Sequence, residues 1–342
     1  MIKRDLKSMT KQELEELFKE IGEPSYRAGQ LFSWMHEKQA LSFSEMTNLP
    51  KSLREKLKAE AEETVLTKIR VLSSKTDDTR KFLFETSDGN RIESVRMKYR
   101  FGNSVCISSQ AGCRMGCSFC ASGADGLSRS LTPSEMLEQI YQIEREIAER
   151  VSHVVVMGTG EPFDNYDNLL RFLTLLTSEE GKHLSARNIT VSTSGLCDRI
   201  RQFADFSLPV NLAVSLHAPT QELRERLMPV AKAYPLPELI LACREYIEKT
   251  GRRVTFEYSL IRETNDSISH ADQLADLLHG LNCHVNLIPV NPALSGFKAP
   301  DQSVISGFLN RLEKRRIPVS LRRTLGQDIE GACGMLRRFP SS

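Results

Sequence analysis

The stretch Cys113-Arg-Met-Gly-Cys117-Ser-Phe-Cys120 governs how the rest of the chain is read. It holds three cysteines, at gaps of three and two residues, in a sequence with only eight cysteines among 342 positions. Thiolates are soft ligands: four close a tetrahedral zinc site, whereas three leave one metal coordination position open for chemistry. The spacing follows neither the two-residue repeats of a zinc knuckle nor the ferredoxin run. A structural zinc site is the competing reading, and it requires a distant fourth ligand.

Outward from this triplet, strands and helices alternate from Gly102 onward. That alternation predicts a parallel α/β sheet whose reacting groups gather at the carboxyl ends of its strands. Apolar runs place strands at Ser104–Ser108, His153–Met157, Asn188–Ser192, Val210–Ser215, Val254–Tyr258, Val285–Pro289 and Pro318–Leu321. Amphipathic helices lie between them. One begins at Thr132-Pro133-Ser-Glu135, a capping box with proline at its first helical position. Strand spacings of roughly 25 to 45 residues suit the βα units of a barrel or partial barrel.

Toward the amino terminus the pattern differs. Residues 1 to about 65 read as helices, with Thr10 and Glu13 forming a capping box and Pro24-Ser-Tyr-Arg27 opening a second helix. Tyr26, Arg27, Gln30 and Trp34 could touch RNA, but an aromatic stripe on a helix more often belongs to the core, and that is the reading adopted. Beyond Val65 the period becomes two, and Asp88-Gly89-Asn90 predicts a hairpin with Glu93 in its second strand.

Composition sets the bounds. With 40% hydrophobic residues the chain can bury a sizeable core, and no run of 18 apolar residues or signal-peptide pattern appears, which places it in the cytoplasm. Its cysteines are too few and too clustered for a disulfide framework. The net charge of +2 is unremarkable, but from Arg311 onward eight Lys or Arg stand against three acids, which favours a polyanionic partner.

Beyond the predicted strand ends the polar residues form a set. It comprises Gly158-Thr-Gly160-Glu161-Pro162, Ser192-Thr-Ser194-Gly195, Ser215-Leu216-His217, Asn291-Pro292 and Asp328-Ile-Glu-Gly-Ala-Cys333-Gly334. Gly158-Thr-Gly160 lacks the third, helix-opening glycine of a dinucleotide fingerprint. Together with Cys106-Ile-Ser-Ser-Gln-Ala-Gly-Cys113 and the triplet, these motifs resemble the RlmN/Cfr family of radical S-adenosylmethionine (SAM) RNA adenine methyltransferases, over essentially the whole chain.

The resemblance implies an α/β fold, a radical SAM partial (βα) barrel. It divides into a small helical accessory domain (1–65), a β-hairpin extension (66–101) and a core ending in a catalytic-cysteine segment (102–342). One 4Fe-4S cluster would be held by Cys113, Cys117 and Cys120, leaving the fourth iron for SAM. Gly160, Glu161, Ser192, Ser215, Leu216, His217 and Asn291 would hold SAM, with Glu161 pairing its ammonium.

Two SAM molecules serve each turnover in this family. The first methylates Cys333, and the second supplies a radical that takes hydrogen from the S-methyl group, whose carbon then joins adenine. Cys106 would attack the Cys333 sulfur, releasing product and leaving a disulfide, with Glu93 as proton acceptor. Glu93 and Gly160-Glu161-Pro162 look more like the RlmN branch, which implies carbon 2 of adenine in 23S rRNA and in tRNA, 3′ to the anticodon. Carbon 8, the Cfr branch, is the runner-up. A reductant such as flavodoxin or ferredoxin, no membrane and a monomeric state complete the expectation. A zinc-dependent RNA-binding module without catalysis is the alternative of another class. Cys197, Cys243 and Cys283 read as buried small hydrophobes.

Overall fold

The apolar runs become strands because their Val, Ile and Leu side chains are buried under the helices on one face, while half-buried polar residues such as His153, Thr190, Ser192 and Asn286 alternate onto the other. The computed structural model describes residues 3–63, 66–291 and 296–336. Three strands precede the parallel part: β1 (Leu66–Ser73), β2 (Arg80–Thr86) and β3 (Arg91–Tyr99). They are followed by β4 (Gly102–Ile107), the short pair β5 (Gln110–Gly112) and β6 (Leu127–Ser130), then β7 (Val151–Val156) and β8 (Ile189–Thr193). The last four are β9 (Asn211–Ser215), β10 (Val254–Leu260), β11 (Cys283–Pro289) and β12 (Val319–Leu321). All seven strands expected after Gly102 are present, displaced by at most a few residues at their ends.

Ten strands form one sheet in the order β1-β2-β3-β4-β7-β8-β9-β10-β11-β12. From β4 to β12 every neighbouring pair is parallel, as the expected partial (βα) barrel requires. From β1 to β4 every pair is antiparallel. The expected hairpin turns at Gly89, whose φ of 81° is a conformation glycine adopts without steric cost. It is joined by β1 as a third strand. It also pairs through β3 directly with β4, Val95 opposite Cys106, so this flank continues the parallel sheet.

Ten helices are described, and they cover the sheet and build the amino-terminal module. They are α1 (Lys11–Glu20), α2 (Tyr26–His36), α3 (Lys51–Glu60), α4 (Pro133–Ile147), α5 (Tyr166–Thr177), α6 (Cys197–Phe203), α7 (Gln221–Leu227), α8 (Leu236–Thr250), α9 (Ile268–Leu278) and α10 (Gln302–Lys314). The predicted capping boxes at Thr10/Glu13 and Thr132/Glu135 are both formed. One hydrophobic core runs from Leu14, Phe18 and Phe32 of the module into Leu137, Tyr141 and Phe172 of the barrel. A polar seam crosses the same junction: Lys7 pairs with Glu138, Ser134 Oγ donates to Asp5 (2.6 Å), and His36 Nδ1 lies 3.1 Å from the Tyr141 hydroxyl. Burial holds His36 down to about 3, so it is neutral at pH 7.

Two expectations change. Tyr26 is 65% exposed, because α2 buries Ala28, Leu31, Phe32 and Met35, and Tyr26 lies on the opposite face. Trp34 is half-buried, its indole N–H donating to Asn48 (2.5 Å). The basic carboxyl-terminal stretch is also less free than its charge count suggested. Arg311 and Arg315 on α10 form ion pairs with Asp272, and Arg315 with Asp276, both acids lying on α9. Arg337, Arg338 and Pro292 lie outside the described residues.

Candidate active site

The turns that follow the parallel strands ring a cleft with about 930 Å³ of empty space, its solvent-open part included. Cys113, Cys117, Cys120, Gly160, Glu161, Ser192, Ser215, His217, Asn291 and Cys333 all line it. Leu216 does not: it is fully buried, and its N–H donates to the Glu257 carbonyl (3.0 Å).

The three-cysteine loop is fastened at both ends. Cys113 N–H donates to Gly126 and Ser118 N–H to Leu227 (2.9 Å), fixing the loop over the cleft. Burial pushes the Cys113 thiol up to about 12 and raises Cys117 and Cys120 as well. A bound cation reverses this, since a coordinating thiol is deprotonated outright. No three His, Cys, Asp or Glu among the described residues converge tightly enough to hold a single metal ion. Three thiols facing one cleft from a short loop fit a cluster in which each thiol binds a different iron.

Opposite this loop, Glu161 is buried, accepting from the N–H of Ser194 (2.7 Å) and of Phe163 (3.0 Å). Burial raises its carboxyl, and those N–H groups oppose the rise. The backbone reaches this position through Gly160 at φ 108°, where a Cβ would sit 2.6 Å from Gln110 Cβ. Gln110 in turn accepts the Glu161 N–H (2.9 Å) and donates to Asp164 (2.9 Å). This glycine turn and carboxylate form a cradle suited to the amino-acid end of SAM.

His217 holds a left-handed backbone at φ 56°. Its Nδ1 accepts the Ser259 N–H (2.9 Å), so the ring proton sits on Nε2. Burial, with Arg224 adding, lowers the imidazole to about 3 and keeps it neutral. Arg224 is fully buried and donates to the carbonyls of Ser194 (2.6 Å) and Ser215 (3.3 Å), tying the ends of β8 and β9 together.

Cys333 approaches from the carboxyl-terminal segment. Asn291 donates to the Cys333 carbonyl (3.0 Å), Ala121 N–H to the Gly334 carbonyl (2.8 Å), and Ser122 to the Leu336 carbonyl (2.6 Å). The same segment is tethered from the β1–β2 turn. Asp328 accepts from Ser74 and from Lys75 N–H, each at 2.8 Å, and Asp77 accepts from Gly326 N–H (3.0 Å).

Cys106, on β4, lines an adjoining cavity of about 620 Å³ that also contains Cys333, Cys120, Asn291 and Arg322. Both Cys106 and Cys333 are free thiols. Burial pushes Cys106 up to about 12, the Cys333 sulfur adding and Arg322 opposing. Glu93 lines neither cavity. It is buried on β3, and alternation puts it on the face of Val95, the residue opposite Cys106, with Lys81 Nζ 2.9 Å from its carboxylate.

Sequence reading missed Arg224, Gln110, Glu257 and Arg322. Arg224 sits in a helix, where an arginine reads as solvated, and Arg322 was counted only as charge. Gln110 lies inside a quoted motif, and that was the available signal.

A family model of the ribosomal RNA large subunit methyltransferase N-terminal domain matches residues 4–62, and one of the radical SAM superfamily matches residues 107–275. The chain is 54% identical to a Lachnospira eligens protein named as a dual-specificity RNA methyltransferase RlmN, over 97% of this chain and 95% of that one. A Geobacillus thermodenitrificans protein of the same name is 52% identical over 96% of this chain and 92% of its own. The crystal structure of a radical SAM methyltransferase from Sphaerobacter thermophilus superimposes with a TM-score of 0.94 at 46% identity, covering 97% of this chain and 98% of that one.

Proposed function

Since the chain belongs to the RlmN family of radical SAM RNA methyltransferases, we propose that it methylates carbon 2 of adenine in 23S rRNA and in tRNA. The observation that carries this reading is the joining of the Cys333 turn to the three-cysteine loop, through Asn291, Ala121 and Ser122, with both facing one cleft. A methyl acceptor and a radical source are thereby brought to the same base.

Cys113, Cys117 and Cys120 would hold a 4Fe-4S cluster, which supplies the one-electron cleavage of SAM that activates the S-methyl group. Gly160, Glu161, Ser192, Ser215, His217 and Asn291 would seat SAM, with the Leu216 backbone holding Ser215 and His217 in place. In the first half-reaction the Cys333 thiolate forms a bond to the methyl carbon as the SAM sulfur–methyl bond breaks. Once the methyl carbon is attached to adenine, Cys106 attacks the Cys333 sulfur. The sulfur–carbon bond breaks with its electron pair staying on the methylene carbon, which takes up a proton to become the methyl group as the disulfide forms. The carbon-2 proton has by then left to a base, the role proposed for Glu93, and the unpaired electron of the adduct has returned to the redox chain. Lys81 Nζ, 2.9 Å from its carboxylate, fixes the position of Glu93. External thiol or a protein reductant then restores both cysteines, and flavodoxin or ferredoxin would supply the cluster electrons. A monomer acting in the cytoplasm fits this scheme.

The test is anaerobic reconstitution followed by reaction with SAM, reductant, tRNA and a 23S rRNA fragment, with mass analysis of the nucleosides. Brown protein with four irons and production of 2-methyladenosine is the expected result. Production of 8-methyladenosine would move the chain to the other branch of the wider family. Stoichiometric zinc, no iron and unmodified adenosine would refute the enzymatic reading.

A further inference from the structure

The barrel has a second opening, at the amino-terminal ends of its strands, and its wall is unusual for a solvent-facing surface. In the β3–β4 turn, Phe101 is 61% exposed and stacks on Tyr99, with ring centroids 4.8 Å apart and planes 8° from parallel. His153 of β7 meets Phe101 edge-on at 4.7 Å. Tyr99 alternates with Met97 and Val95 along β3, so the aromatic line continues on the barrel-facing side toward Cys106. The Tyr99 hydroxyl donates to the Met97 sulfur (3.6 Å), and its environment includes Arg322, Arg323, Cys106 and Cys333. From Gly102 to Cys106 is four residues of β4, about 13 Å, the reach of a few stacked nucleotides at 3.4 Å each.

The facing wall is basic. A polar hollow inside the barrel, about 1050 Å³ with its open part, is bordered by Arg252, Arg253, Arg322, Asn211, Thr190 and Glu257. It shares Met157, Glu257 and Arg322 with the cleft, so the two adjoin across these side chains. The side chains of Arg100, Arg253 and Arg323 are exposed and have no hydrogen-bond or ion-pair partner among the described residues. Little negative charge opposes them. Glu257 accepts from Asn286 (2.9 Å) and lies near Arg322, and Glu149 is taken up by Lys98 and Asn103.

Stacked aromatics beside unpaired arginines, leading to a reactive thiol pair, suit one occupant: a single-stranded RNA loop, with planar bases and a polyanionic backbone. We propose that RNA enters through this strand-start opening, bases flanking the target adenine stacking on Phe101 and Tyr99 while Arg100, beside Phe101, and Arg253, just before β10, hold the phosphates. The placement rests on the reading of the site as an RNA methyltransferase and adds the route and the contacts.

The experiment titrates cluster-loaded full-length protein into a hairpin RNA whose loop adenine is flanked by 2-aminopurine, a base whose fluorescence falls on stacking. Wild type should quench the probe. Phe101→Ala and Tyr99→Ala should each weaken binding roughly tenfold and relieve the quenching, since base stacking on an aromatic side chain is worth that much. Phe101→Trp should restore both. The salt dependence should stay unchanged in these variants, whereas Arg100→Gln with Arg253→Gln should lower its slope by about 1.4, or 0.7 per phosphate contact on a single strand. Phe101 is exposed, so its removal leaves the core intact, and thermal unfolding checks this directly. A wild-type protein that methylates adenine but binds RNA indifferently to Phe101 overturns this placement alone. One that binds no RNA overturns the enzymatic reading and this proposal with it. A dimer that Phe101→Ala dissociates, with RNA affinity unchanged, would assign the patch to self-association and overturn the proposal.

Discussion

The two walls of the cleft are built in different ways. On one side, Glu161, His217 and Arg224 are held by short bonds to backbone groups of adjacent parallel strands, all of them buried. On the other, the segment carrying Cys333 is held to the β1–β2 turn by an exposed carboxylate, Asp328, and by half-buried Asp77, with Asn291, Ala121 and Ser122 bonding only its backbone carbonyls from the barrel. The first wall is part of the fold, and the second is strapped onto it. In the proposed reaction the donor must be gripped in one pose, whereas Cys333, proposed first to accept a methyl group and later to deliver it to a base, would have to serve two positions. Weak, polar attachment permits that movement.

The largest test strikes the strapped wall. Cys333→Ala should abolish adenine methylation, a loss of at least about 1000-fold for a removed nucleophile, with thermal stability nearly unchanged. Cys106→Ala should instead accumulate protein covalently joined to RNA, visible as a gel shift sensitive to nuclease. Normal turnover by either variant would remove the thiol pair from the mechanism.

Next in size is the built wall. Arg224→Met leaves the carbonyls of Ser194 and Ser215 without their donor, and should cost about 2–4 kcal/mol in denaturant unfolding. Loss of SAM binding with full stability would mean that Arg224 acts on the ligand rather than on the strand ends.

Acid should act on the module–barrel junction before it reaches the strapped wall. His36, neutral because burial lowers it to about 3, leaves the folded chain binding fewer protons than the unfolded chain. Its stabilisation is therefore complete above pH 6.5 and declines as pH falls toward 3. Acidification from pH 7 to 5 should cost about 2 kcal/mol from this residue, and His36→Gln should flatten the slope. The Asp328 carboxyl is held below its ordinary 3.8 by the Lys75 N–H and Ser74. Its tether is thus present above pH 3.8 and lost as pH falls through the lower folded value. Hydrogen exchange at residues 326–334 should quicken only there, after the core has already weakened.

The smallest effect belongs to Asp328→Asn. This surface contact should leave global stability nearly unchanged while speeding hydrogen exchange at 326–334 a few-fold. An equal effect on the core would break the contrast between the walls.

Much of this arrangement was legible in the chain. The parallel strands announced themselves as apolar runs, and the cysteine spacing signalled a three-thiol site with one position open. Cys106, Cys333 and Glu93 were found only through resemblance, because a lone cysteine or strand glutamate carries no local pattern. Arg224 was hidden for a related reason: its partners are carbonyls at two strand ends, outside any helical periodicity. Charge counting misjudged Arg311 and Arg315, whose acids lie about 40 positions earlier on α9 and come beside them only in the folded chain. Tyr26 misled because its helix buries the opposite face.

The direct pairing of β3 with β4 has a practical consequence. A chain trimmed to the parallel part, beginning at Gly102, would lose its neighbour along Gly102–Ile107 and present that strand's backbone donors and acceptors to solvent. It would also uncover the surface of α4 on which the amino-terminal module rests. Such a fragment retains every cysteine of the cleft, yet its raw β4 edge invites strand addition from a second molecule, so aggregation rather than a minimal enzyme is the expected product. The first hundred residues therefore act as a permanent cap on an otherwise adhesive sheet.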